Sequence, residues 1–252
     1  MKMLFTLIVI VSSISQSFAQ QIFVTQGKIE FEKRVNLYKM LDATVDNDED
    51  SRSWVDGYKK SLPDHKNFYF DLYFNGDKTL YKPGREEVSI GHMPDWLLLA
   101  NENTVFTDLA KNQSVSQKSI YEGNYLIQDS LRKVNWKITS DTRNIAGFEC
   151  RKAVGIIMDS VYVIAFYTDE IITHGGPESF TNLPGMILGV AIPRLNVTWF
   201  ATKLELVEVP PTQLVAPKKG KKVDNKALQT ILKEHLGEPG SKGNIFIWNA
   251  FL

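Results

Sequence analysis

Residues that could do chemistry are few in this chain and poorly clustered. A hydrolytic centre needs a nucleophile, a base and a group that orients the base. Asp169, His174 and Ser179 are close enough in sequence to be tried in those roles. Neither a Gly-x-Ser-x-Gly nor a His-Glu-x-x-His pattern supports them. A metal centre needs converging His, Cys, Asp or Glu. His65, His92, His174 and His235 are scattered, with no pair at ligand spacing. His92, Met93 and Cys150 make a soft, copper-like set only if the fold gathers them. Glu86 and Glu87 would point to opposite sides of an extended backbone. Gly175-Gly176 is too short for a phosphate-binding loop. No catalytic residue, metal ligand or cofactor is therefore assigned.

The richest local pattern is the run from Gly175 to Leu188, in which Gly/Pro pairs bracket a short polar segment that leads into an apolar strand. Gly176, Pro177, Pro184 and Gly185 read as a structural turn. Glu178, Phe180 and Asn182 are the side chains such a loop could present to a ligand or partner.

The elements that must position these residues read mostly as strands. Ile29, Phe31 and Lys33 alternate with Glu30 and Glu32, and Phe68, Phe70, Leu72 and Phe74 alternate up to Asn75-Gly76, a strong hairpin signal. Short strands follow over 79–82, 104–109, 114–122, 125–129, 134–140, 147–158, 161–168, 186–192 and 195–207. Trp54, Val55, Tyr58 and Leu62 share a helical face that Pro63 ends. A second helix starts near Asp224 or Asn225, with Ala227, Leu228, Ile231, Leu232 and Leu236 on its apolar side. The stretch from Ile245 to Trp248 reads as a further strand or loosely packed tail. The fold class is mainly β: a curved antiparallel sheet, half-barrel or sandwich-like, with one or two short helices including a C-terminal one.

Domain organisation follows from composition. Lys2, the apolar run Leu4–Val11 and Ser17-Phe18-Ala19 read as a signal peptide over 1–19. A β-rich domain spans 20–207, a basic Pro/Lys linker 208–223, and a docking C-terminal helix and tail 224–252. The mature chain shows no transmembrane segment and is expected to be exported, most simply to the periplasm, with outer-membrane association the other option. Acidic and basic residues balance at 29 each, so no global field recruits nucleic acid. The single cysteine, Cys150, excludes an internal disulfide framework and reads as a buried small hydrophobe.

Several segments resemble the GLPGLI family of exported bacterial proteins. They are Ile127–Leu131, Val134–Ile138, Ile145–Ala153, Ala165–Thr168, and Gly176-Pro177 leading into Asn182-Leu183-Pro184-Gly185-Met186-Ile187. The resemblance implies a β-rich envelope protein of Gram-negative bacteria with no established activity. The family's members are frequent genomic neighbours of outer-membrane receptors and peptidases, so the partner the resemblance suggests is an outer-membrane receptor or another envelope protein. With catalytic motifs missing, the expectation is a non-enzymatic binding or accessory protein for an apolar ligand, a peptide or a partner protein. The alternatives are a hydrolase or peptidase-like enzyme and a copper- or zinc-binding protein.

Overall fold

The computed structural model describes residues 23–43, 45, 48–86, 102–120, 123–158, 160–236 and 244–252. The signal-peptide segment, Glu87, His92 and Met93 lie outside them.

The protein is mainly β, built on one open, curved sheet of twelve strands. The strands are β1 (Gln26–Asn36), β2 (His65–Asn75), β3 (Lys78–Pro83), β4 (Thr104–Asp108), β5 (Gln113–Ile120), β6 (Gly123–Ser130), β7 (Lys137–Ile145), β8 (Phe148–Ile157), β9 (Val161–Thr168), β10 (Met186–Ile192), β11 (Val197–Glu205) and β12 (Lys221–Val223). Their order across the sheet is β12-β6-β5-β4-β3-β2-β1-β11-β10-β9-β8-β7. Two antiparallel meanders, β2–β6 and β7–β11, thus form two wings. β1 joins them, pairing with β2 on one side and β11 on the other. Among the described strands β12 alone runs parallel to its neighbour, β6.

Period-two patterning sets the inner face. Ile29, Phe31, Lys33 and Val35 of β1 all turn inward, as do Phe70, Leu72 and Phe74 of β2. Phe70 stacks on Tyr81 at 4.6 Å, and Phe31 meets the same ring edge-on at 6.4 Å. Each such side chain contributes on the order of 2 kcal/mol through apolar burial. The aromatic stripe is therefore filled core.

The helices are α1 (Leu37–Asp42), α2 (Glu49–Ser61), α3 (Asn225–Leu236) and α4 (Asn244–Ala250). α1 continues directly from β1, where alternation alone extends the strand to Leu37. The Asn36 side chain accepts from the Lys39 N–H and caps the turn. α2 begins under an Asp48 cap and buries Val55, leaving Trp54 exposed beside Tyr58. The tail read as a strand or loose packing is α4. α3 and α4 close one end of the inner face, where Leu228, Leu232 and Ala250 pack on Ile120 and Ile127. The segment read as a linker lies against the outer face: Val209 and Leu214 bury with Leu80, Phe106, Val115 and Leu126. Lys221 to Val223 within it form β12. Among the described residues no helix is long and apolar enough to cross a membrane.

The loop between β9 and β10 lies across the inner face and ties the wings together. Thr173 Oγ1 donates to Gly76 O at 2.9 Å, and Trp136 Nε1 donates to Thr181 O at 2.9 Å. Asn182 Nδ2 donates to Arg132 O at 3.0 Å. The loop meets β10 through Gly185, held at φ +139°, where a Cβ would stand 2.0 Å from Thr168 O. Both the backbone conformation and the missing side chain are required there. Gly185→Ala should therefore cost more than about 2 kcal/mol. A thermal melt superimposable on wild type would show that the corner yields without strain.

Candidate functional site

The inner face carries charge where apolar packing is the rule. Lys33 projects inward from β1, between Phe68 of β2 and Trp199 of β11 in the paired register. Its ammonium lies 5.1 Å from the centre of the Trp199 ring. Lys118 projects inward from β5 in phase with Ser114 and Ser116. Arg132 follows β6. Opposite them the β9–β10 loop delivers Glu178, whose side chain is fully buried.

Glu178 is held at φ +54°, a left-handed conformation uncommon for a residue with a long side chain. That backbone aims the carboxylate into the sheet. Oε2 accepts from Asn103 Nδ2 at 3.0 Å, and Oε1 lies 3.9 Å from Lys33 Nζ. Oε1 has no hydrogen-bond partner, and neither do Thr181 Oγ1, Tyr81 Oη, Trp199 Nε1 and Arg132 Nη1, all buried. So many unsatisfied buried atoms in one region mark an unusually polar interior.

Electrostatics follows from burial. Lys33 is pushed below its ordinary pKa by desolvation, which the Glu178 charge only partly opposes. Lys118 is pushed down to about 8, first by desolvation; Glu178 raises it, while Arg132 and Lys33 lower it further. Arg132 falls to about 10, again by desolvation against Glu178, and stays charged at neutral pH. Tyr81 is held well above the usual phenol value by burial and then by the Glu178 charge. The Trp199 N–H opposes that shift, although it lies outside hydrogen-bond geometry.

Lys118 and Arg132 line a cleft of about 290 Å³ with Ser114, Ser116 and Ser179, bounded by Ala250, Phe251 and Leu252. Lys118 Nζ donates to Ala250 O at 3.1 Å. Arg132 Nη2 donates to Phe251 O and, at 3.5 Å, to Leu252 O. Arg132 keeps some surface at the cleft mouth, although its Nη1 is enclosed. The arrangement offers positive charge, hydroxyl donors and a lysine poised to exchange a proton near neutrality.

The residues singled out from sequence distribute as follows. Glu178 and Phe180 turn inward and are each 1% exposed. Asn182 lies at the surface with its amide on Arg132 O. Gly176 sits where a Cβ would press on Ile187 and Phe180 O, and Pro177 is buried beside it. Pro184 is exposed, next to the Gly185 corner. Ser179 lines the Lys118 cleft, whereas His174 lines a separate cavity with Asp77 and Asn112. Cys150 is fully buried, and burial pushes its thiol up to about 12. Among the described residues no group of three or more His, Cys, Asp or Glu could hold a metal.

Sequence reasoning missed Lys33, Asn103, Lys118 and Arg132 as a group. A signal existed for two of them. Lys33 interrupts an inward apolar series, and Lys118 shares its strand phase with Ile120. Arg132 lies in an irregular stretch and carries no such mark.

A family model described as the N-glycanase peptide, N-terminal domain, matches residues 98–229. The chain belongs to this family. Two solved structures, PNGF-II in the C2 and P21 space groups, share its fold with a TM-score of 0.51 and 16% identity. They cover 80% and 82% of this chain. The chain in turn covers 31% and 33% of theirs, so it spans about a third of their length. No curated protein matches the sequence.

Two expectations are corrected by this match. The GLPGLI resemblance does not hold, because the matching family is the N-glycanase N-terminal domain. Its physical source is plain: a Gly/Pro corner opening onto an apolar strand is demanded by backbone geometry, and unrelated sheets meet that demand alike. The reading as a non-enzymatic binding or accessory protein is overturned by the same finding, which favours the hydrolase alternative. Missing local motifs are weak grounds against an enzyme, because residues drawn together from separate segments leave no local pattern.

Two outcomes are expected from the buried charges. Glu178→Gln removes the carboxylate among three cations and should cost about 3 kcal/mol in denaturant unfolding. Adding Lys33→Met should recover part of that loss, and a purely additive double mutant would argue against coupling. Lys118 binds its proton more weakly in the folded state than in the unfolded chain, from 10.5 down to about 8. Its contribution to stability is thus poorest below pH 8 and improves as pH rises from about 8 towards 10.5. Wild type minus Lys118→Met should gain on the order of 3 kcal/mol across that window. A flat difference would mean that Lys118 keeps an ordinary pKa.

Proposed function

We propose that this chain is an exported hydrolase module acting on asparagine-linked glycans, with the Lys118–Arg132 cleft as its site. One observation carries the reading. The segment that matches the N-glycanase domain, 98–229, is the one that supplies Asn103, Lys118, Arg132 and Glu178. Export rests on the signal pattern over 1–19, and the periplasm is the compartment proposed.

The chemistry fits hydrolysis of an amide between sugar and asparagine. Water adds to the amide carbon, the carbon–nitrogen bond breaks, and charge develops on the carbonyl oxygen. Arg132, fixed and permanently charged, is suited to stabilise that oxyanion. Lys118, as the free amine, can take a proton from the attacking water and return one to the departing nitrogen. Glu178 positions the cations without reaching the cleft itself, whose wall contains Ser179 and not Glu178. Ser114, Ser116 and Ser179 provide hydrogen bonds suited to sugar hydroxyls.

The test is release of free glycan from an N-glycopeptide by the purified mature chain, followed by mass spectrometry across pH 5 to 9. Activity should climb as pH passes about 8, where Lys118 loses its proton. Lys118→Met should reduce it by about 10²-fold or more. Absence of release at every pH would overturn the reading.

A further inference from the structure

A second cavity, of about 330 Å³, adjoins the Lys118 cleft and takes no part in the chemistry proposed there. Asp77, Asn112, His174 and Asn182 give it polar walls, and Leu131 and Ile172 apolar ones. Leu131 is buried and belongs to the walls of both spaces, so one side chain partitions them.

The wall segments are tied to one another. The Leu109 N–H donates to Asp77 O at 2.8 Å, and the Leu131 N–H donates to Asn112 O at 3.3 Å. Thr173 Oγ1 donates to Gly76 O at 2.9 Å, and Asn182 Nδ2 to Arg132 O at 3.0 Å. Asn112 and Asn182 hold left-handed backbone, at φ 51° and 69°, which asparagine tolerates better than most residues. The cavity's shape is therefore set largely by main chain, and its polar side chains are left for other work. Asp77, Asn112, His174 and Asn182 are all exposed. Among the described residues no hydrogen bond or ion pair engages the side chains of Asp77, Asn112 or His174. Asn182 spends one amide N–H on Arg132 O and keeps the second, together with its carbonyl oxygen.

These groups specify a ligand. A carboxylate, an imidazole and two carboxamides set donors and acceptors side by side, as neighbouring hydroxyls of a sugar require. Ile172, 46% exposed, adds apolar surface suited to the C–H face of a ring. The Asp77 carboxylate disfavours an acidic sugar, because two like charges would meet. We infer that this cavity is a subsite for a neutral sugar ring, held by Asp77, Asn112, His174 and Asn182. Resting on the glycan-directed reading, the ring belongs to the glycan whose bond to asparagine lies across Leu131, in the adjoining cleft.

The test is isothermal titration of the full mature chain at pH 7 with N,N′-diacetylchitobiose and, separately, a mannose trisaccharide. At least one sugar should bind saturably and raise the melting temperature. Binding of the first alone selects N-acetylated rings, and of the second alone unmodified ones. Asp77→Ala should weaken binding by about tenfold or more, and His174→Gln by about threefold. Both side chains are exposed, and the tie from Leu109 to Asp77 uses main chain, so both unliganded variants should melt with wild type. In glycopeptide cleavage both should raise KM and retain kcat. No saturable binding of either sugar would overturn the subsite, as would wild-type affinity in both variants. Glycopeptide cleavage without sugar binding removes only the subsite. Sugar binding without cleavage removes only the hydrolytic reading.

Discussion

A buried carboxylate, held by a strained backbone in front of three cations, is the constraint around which the rest of this protein is arranged. Glu178 adopts a left-handed conformation that its side chain does not favour, and it is kept there by the loop on either side. The loop in turn is anchored at Gly76, Arg132, Trp136 and the Gly185 corner. These anchors belong to both wings of the sheet. Placing one negative charge inside therefore also fixes how the sheet curves around it. The carboxylate only partly opposes the desolvation that lowers Lys33, Lys118 and Arg132.

The coverings of the sheet have distinct tasks. On the outer face, Val209 and Leu214 seal the wing made by β3 to β6. On the inner face, α3 and α4 close one end and place main-chain carbonyl oxygens against Lys118 and Arg132. These oxygens lessen the cost of burying the two cations without filling the cleft. Apolar packing by Phe31, Phe70, Leu72 and Trp199 occupies the centre. The polar cluster survives beside it because each charge has at least one partner and because the cleft admits exchange at its mouth.

The functional reading and the fold meet in one segment. Residues 98–229 match the N-glycanase N-terminal domain, and they contain most of the polar cluster. Lys33 and Tyr81 come from outside that match and complete the buried environment. Amide hydrolysis asks for a proton carrier near neutrality and fixed positive charge at a developing oxyanion. In the reading proposed above, Lys118, whose pKa burial lowers to about 8, is the proton carrier, and Arg132 is the fixed positive charge. His174 and Ser179 line different cavities, so closeness in sequence does not place them in one cleft.

Much of the architecture was legible beforehand because strands write their burial into the sequence at period two. The alternation in β1 and β2, the Asn75-Gly76 turn and the amphipathic helices at 49–61 and 225–236 are local, and local geometry determines them. α1 was hidden because Leu37 continues the strand alternation, so only the Asn36 cap marks the change. α4 was hidden because four apolar residues in a row carry no period. The site was mostly illegible for a different reason. Lys33, Asn103, Lys118, Arg132 and Glu178 are brought together by strand order across the sheet and by a loop that crosses its inner face. Charge and hydrogen bonding act through space over a few ångströms, whereas sequence reports neighbours along the chain. The sequence by itself determined most of the strands and the faces that β1 and β2 bury. Only the tertiary structure decided that Glu178 points inward and that Lys118 loses its water, since both depend on what the far wing of the sheet places opposite them.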